Sequence, residues 1–112
     1  MPYVHVRTNV HVDKPEAFLR ACSAHVAEAL GKPERYVMVS LQDALPMLFA
    51  ADGAPCAYVE LKSLGLSTAE TAELSRGLCA LLRQALGVDE ARVYIEFAAP
   101  ERAMFGWNGG TF

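Results

Sequence analysis

The sequence predicts an α+β fold in which two β-α-β repeats form a four-stranded sheet with two helices on one face. Three observations carry this. The chain repeats itself at an offset of 56 residues: Leu30-Gly31 recurs as Leu86-Gly87, Glu34 as Glu90, and Val37, Val39 and Leu41 as Val93, Ile95 and Phe97. Four segments alternate strictly between apolar and other residues, the period of a half-buried strand. Each half also holds one segment with helical apolar spacing that ends in glycine, the residue best able to adopt the left-handed stop. A strand-helix-parallel strand unit crosses over right-handedly almost without exception, so both helices fall on the same side of the sheet. The 112 residues read as one domain with pseudo-repeats at about 1–55 and 56–112.

Taken in order, strands are expected at about 3–9, 37–42, 56–62 and 92–98. Val4 and Val6, Val37, Val39 and Leu41, Ala57, Val59 and Leu61, and Val93, Ile95 and Phe97 suit the face packed on the helices. The other face carries His5, Arg7, Met38, Ser40, Tyr58, Glu60, Lys62, Tyr94 and Glu96. It is too mixed for a second core and too rich in Tyr and Met for open solvent, so oligomerisation that covers it is expected. The first helix is expected from a cap at Asp13, with Pro15 in its first turn and Glu16 closing a capping box. Phe18, Leu19, Cys22, Val26, Ala29 and Leu30 form its stripe, and Gly31 its stop. Ser67 and Glu70 form the second box, Leu74, Leu78, Leu81, Leu82 and Ala85 the second stripe, and Gly87 the second stop. Asp52-Gly53 and Asn108-Gly109-Gly110 read as tight turns joining short apolar pieces at Leu48-Phe49 and Phe105-Gly106-Trp107.

Composition narrows the function. Apolar residues make up 53% and charged residues 21%, with a net charge of −3. Lys and Arg are dispersed, so no footprint for nucleic acid or an anionic membrane is present. The start, Met-Pro-Tyr-Val-His-Val-Arg-Thr, lacks the basic and long apolar regions of a signal peptide, and no stretch approaches the ~20 apolar residues of a membrane span. A cytoplasmic protein is expected, with a leaderless route as the means of any export. Cys22, Cys56 and Cys79 are odd in number, lack CxxC spacing and sit among apolar residues, the pattern of small core residues. His5, His11 and His25 are scattered, so no metal site is expected.

Two residues stand out chemically. Removal of Met1 would free the secondary amine of Pro2. Beside a cation in an apolar pocket such an amine loses its proton readily and becomes a base near neutral pH. The plainer reading is a proline that begins an edge strand. Lys32, just beyond a helix end, suits either a substrate carboxylate or the helix C-terminus. Tyr36, Tyr94, Phe105 and Trp107 suit either an aromatic pocket or ordinary strand packing. No phosphate loop, dinucleotide fingerprint, nucleophile elbow or zinc pattern occurs.

The Met-Pro start, Thr8-Asn9-Val10, Gly31-Lys32-Pro33, Tyr36, Pro55-Cys56-Ala57, Ser63-Leu64-Gly65, Arg92-Val93-Tyr94-Ile95, Gly106-Trp107-Asn108 and Thr111-Phe112 run in order along the chain. In this set the sequence resembles the family of macrophage migration inhibitory factor and D-dopachrome tautomerase, within the tautomerase superfamily, from end to end. The resemblance implies a homotrimer with active sites between subunits. It implies a keto–enol tautomerase of phenylpyruvate-like and dopachrome-type substrates that needs no cofactor. Pro2 is then the catalytic base, and Lys32 holds the carboxylate of an aryl keto acid. The Leu64 backbone with Ser63 supplies a polar contact, and Tyr94 comes from the adjacent subunit. Tyr3, Tyr36, Phe105, Trp107 and Phe112 shape the apolar part. The resemblance also leaves open a cytokine-like secreted binding protein with a receptor partner, and a proline-based decarboxylase or dehalogenase. Three departures from the family's mammalian pattern bear on this. Glu96 replaces an asparagine near Tyr94, Lys62 replaces a histidine, and Val59 replaces the second cysteine of a CxxC, so thiol-oxidoreductase activity is not expected.

Overall fold

A computed structural model describes residues 1–112. Strands β1 (Tyr3–Thr8), β2 (Met38–Gln42), β3 (Ala57–Lys62) and β4 (Val93–Ala98) form one sheet in the order β2-β1-β3-β4. Helices α1 (Pro15–Leu30) and α2 (Thr71–Leu86) pack on one face of it. Within each repeat the two strands are parallel, β1 with β2 and β3 with β4, while β1 and β3 join the halves antiparallel. The inward residues Val4, Val6, Ala57, Val59 and Leu61 meet Phe18, Cys22, Val26, Leu74, Leu78 and Leu82 in one core. Val37, Val39, Leu41, Val93, Ile95 and Phe97 pack at its margins, half-buried because their strands form the sheet edges or lead into them. All three cysteines are free and buried. Neither helix is long and apolar enough to cross a membrane.

The helix stops are as expected: Gly31 and Gly87 are left-handed, with φ of 63° and 70°. The starts are not. Lys14 precedes α1 without a side-chain cap, because the Asp13 carboxylate lies 3.2 Å from His11 and Glu16 turns along the helix to Arg20 at 2.7 Å. At α2 the Ser67–Glu70 box is replaced by a backbone turn, Glu70 N–H donating to the Ser67 carbonyl, and the helix begins at Thr71. The buried stripes also shift, Ala27 and Cys79 taking the depth expected of Ala29 and Ala85.

The turn expected at Asp52-Gly53 lies two residues earlier. Phe49 and Asp52 exchange both backbone hydrogen bonds at 3.0 Å, with Ala50 and Ala51 at the turn and positive φ at both. A closed two-residue turn requires that geometry, and alanine adopts it against its preference. The C-terminal hairpin follows expectation, β5 (Gly106–Trp107) pairing with β6 (Gly110–Thr111) around Asn108-Gly109.

Candidate active site

Pro2 enters the sheet at the head of β1, its carbonyl accepting from Met38 N–H at 3.0 Å, and its side chain is fully buried. It lines a cleft of about 490 Å³ together with Met1, Tyr3, Tyr36, Phe105 and Trp107. A second compartment of about 420 Å³ shares Met1 and Tyr36 with the first, and Lys32, Leu64, Arg102 and Phe112 complete its main walls. The left-handed Gly31 turns the chain so that Lys32 N–H bonds back to Ala27, while its ammonium donates to the Leu64 carbonyl at 3.0 Å.

The aromatic residues form a connected group. Tyr36 meets Trp107 edge-on at 5.8 Å, Trp107 stacks on Phe112 at 5.7 Å, and Phe112 touches Phe105 at 5.9 Å. The β5–β6 hairpin presents Trp107, and the Phe112 N–H bond to the Phe105 carbonyl at 3.2 Å closes its base. Burial, and then the charges of Lys32 and Arg102, hold the Met1 amine below its ordinary pKa. The chain terminus thus lies where apolar walls and two cations disfavour a protonated amine.

On the open sheet face beside this cleft, Tyr3 Oη and His5 Nδ1 reach Ser40 Oγ at 2.7 and 2.5 Å, and His5 Nε2 lies 3.0 Å from Gln42 Oε1. With the amide oxygen accepting from Nε2, Nδ1 is left to accept from the serine. This network explains how His5, on the open face, is only 8% exposed.

Pro2, Tyr3, Tyr36, Phe105 and Trp107 therefore meet in one compartment, and Lys32, Leu64 and Phe112 with Tyr36 in the next. Ser63 is buried behind Leu64, its hydroxyl 3.5 Å from the Leu64 carbonyl, and lines neither compartment. Tyr94 and Glu96 are not brought to Pro2 within the chain. Tyr94 is level with Tyr58 and Arg7, which places it roughly 17 Å along β1 and roughly 10 Å across the sheet from Pro2. It is 62% exposed and packs on Phe49 at 4.9 Å. Glu96 accepts a 2.5 Å hydrogen bond from Tyr58, which, with burial and the neighbouring carboxylates, raises the phenol pKa.

Sequence reading passed over Arg35 and Arg102 as contributors to the cleft, and took Lys62 only as a departure from a pattern. The register was the available signal for Lys62, which pairs with Tyr3 across β1 and β3. A separate hollow of about 500 Å³ beside the start of α1 is lined mostly by apolar residues. Its His11 is already flanked by Asp13 and Asp43.

Comparison with known proteins gives one answer. The family profile described as "Macrophage migration inhibitory factor (MIF)" matches residues 1–112. The chain is 38% identical to macrophage migration inhibitory factor of Rattus norvegicus over 114 aligned positions, covering 100% of this chain and 99% of that one. It is 37% identical to the homolog of Brugia malayi, with the same coverage. Among solved structures, the homologue from Prochlorococcus marinus superposes with a TM-score of 0.93 at 40% identity, covering 98% of each chain. The protein from Trichinella spiralis gives 0.93 at 32% identity, covering 98% of this chain and 99% of that one. The chain belongs to the macrophage migration inhibitory factor family, within the tautomerase superfamily.

Proposed function

We propose that this protein is a keto–enol tautomerase of phenylpyruvate-like aryl keto acids, with dopachrome-type compounds as surrogate substrates, and that Pro2, freed by loss of Met1, is its base. The observation that carries the reading is the burial of Pro2 in a cleft that joins an aromatic wall to cations. The proline nitrogen takes a proton from the carbon beside the ketone, and the electron pair of that C–H bond becomes the enolate. The ketone oxygen gains a proton, and Pro2 ends neutral once it gives its own up. No redox change occurs, so one tuned amine and electrostatic stabilisation of the enolate suffice. Lys32 holds the substrate carboxylate, the Leu64 backbone with Ser63 behind it gives the polar edge, and Tyr3, Tyr36, Phe105, Trp107 and Phe112 hold the ring.

The working unit in this proposal is a homotrimer. The separation of Tyr94 from Pro2 means that Tyr94 can act only on the site of another copy, and Glu96 travels with it. The test is phenylpyruvate turnover by protein whose intact mass establishes loss of Met1, beside Pro2→Gly. The variant should lose about 10²- to 10⁴-fold in kcat while its assembly state is unchanged. Full activity in Pro2→Gly would rule out the proline base.

The relatives' shared name favours a second, cytokine-like reading in which the same surface is recognised by a receptor. That role would require release from the cytoplasm by a leaderless route. Receptor binding unaffected by Pro2→Gly, in a protein without turnover, would support it. A decarboxylase or dehalogenase would need Glu96 to activate water. Faster hydration of an acetylenic acid than turnover of phenylpyruvate, lost in Glu96→Gln, would support that chemistry.

A further inference from the structure

The charge in the cleft is one-sided. Arg35 and Lys62 stand in the compartment over Pro2, and Lys32 and Arg102 in the adjoining one. No Asp or Glu lines either compartment, although the chain as a whole carries a net charge of −3. None of these cations takes part in an ion pair, whereas Arg7, Arg20, Arg76 and Arg83 all do. The acidic residue nearest in sequence to Arg35, Glu34, faces a separate depression beside α1.

Arg35 is also held in place. Its guanidinium lies 4.7 Å from the Tyr36 ring centroid. A guanidinium stacked on a ring keeps its donor edge free for bidentate binding of a carboxylate. Lys62, paired in register with Tyr3, contributes the second charge to the same compartment. Like charges gathered without counter-charges repel one another and raise the local concentration of anions. A ligand with a single carboxylate satisfies one compartment and leaves the other uncompensated.

We propose that the cleft is built for a dianion: an aromatic 2-keto acid bearing a second carboxylate at the far end of its ring. Lys32 and Arg102 take the keto-acid carboxylate, the ring spans the Tyr36 boundary against Trp107 and Phe112, and Arg35 and Lys62 take the distal carboxylate. The two compartments adjoin at Met1 and Tyr36, which line both, so the loss of Met1 removes a wall that they share. This substrate class rests on the tautomerase reading of the same cleft.

The test separates binding from turnover by using two unreactive acids, phenylacetate and 1,4-phenylenediacetate, titrated calorimetrically into assembled protein lacking Met1. The diacid should bind about tenfold more tightly. The preference should shrink as salt rises, because the cations are screened by solvent ions. In the Arg35→Gln/Lys62→Met double variant the ratio should fall to about one. Equal binding of the two acids, binding of neither, or a preference that survives in the double variant overturns the inference. Diacid preference without phenylpyruvate turnover would leave the dianion site standing and sink the tautomerase reading. Turnover without the preference would do the reverse.

Discussion

At the scale of single residues, burial decides what the cysteines do. Desolvation pushes the Cys22 thiol up to about 12, and burial followed by the Glu90 charge raises that of Cys79. A folded-state pKa above the unfolded one means that the native protein holds its proton while the unfolded chain releases it. The associated stability is present below the unfolded pKa near 9.0 and is lost as pH climbs towards 12. Urea melts at about pH 8 and about pH 10.5 should show this loss, and Cys22→Ala should reduce it. An unchanged pH slope in Cys22→Ala would remove Cys22 as its source. The core role of this residue was legible because it falls on an apolar helical stripe. Lys32 was legible as well, because Gly31 fixes where the helix ends and so where the next side chain emerges. Arg35 was not. An exposed cation on a short 3-10 turn has the same sequence signature whether it faces solvent or a cleft, and only the stacking on Tyr36 and the closure of the Trp107 hairpin decide.

Elements were legible where periodicity governs and illegible where side chains have a choice of partner. Four strands and two helix stops follow from alternation and glycine, and the structure places each within a residue or two. The first capping box failed because Asp13 and Glu16 each found another partner, His11 and Arg20, and the second because a backbone turn from Ser67 to Glu70 took its place, a competition invisible in spacing. Contact between the helices shows the same limit. A Cβ at Gly77 of α2 would stand 2.9 Å from His25 Nε2 of α1, a buried ring nitrogen with no hydrogen-bond partner. Gly77 therefore makes room for His25. Gly77→Ala should destabilise the protein by about 1–2 kcal/mol, the overpacking outweighing the ~1 kcal/mol gain in helix propensity. In a His25→Ala background the same change should stabilise by about 1 kcal/mol, giving a strongly non-additive cycle in denaturant melts. Additive effects would show that the two residues do not oppose each other.

At the scale of the whole molecule, the 49–56 loop ties the two halves of the chain together, and the motifs at Asn9, Pro55-Cys56 and Arg92 gave no sign that they meet there. Arg92 donates to the carbonyls of Phe49, Asp52, Ala54 and Pro55 at 2.9 to 3.2 Å, fastening the Ala50-Ala51 turn to the start of β4. Asn9 adds hydrogen bonds to the Gly53 and Ala54 carbonyls and accepts from Cys56 N–H. Phe49, held in this way, packs on Tyr94 and leaves that phenol exposed at the end of the sheet opposite the Pro2 cleft. A chain so arranged presents Pro2 at one end and Tyr94 at the other, and in the proposed homotrimer Tyr94 of one copy would reach the Pro2 cleft of the next. Mixed assemblies test this directly. If Tyr94 of one subunit serves Pro2 of the next, Pro2→Gly and Tyr94→Ala chains refolded together should regain activity that neither has alone. With random mixing, about a quarter of the sites should combine an intact proline with an intact tyrosine. Activity near that fraction of the unmodified protein would establish a shared site. Mixtures no more active than the average of their parents, with subunit exchange verified by mass, would mean that Tyr94 takes no part across the interface and that each chain carries its own complete site.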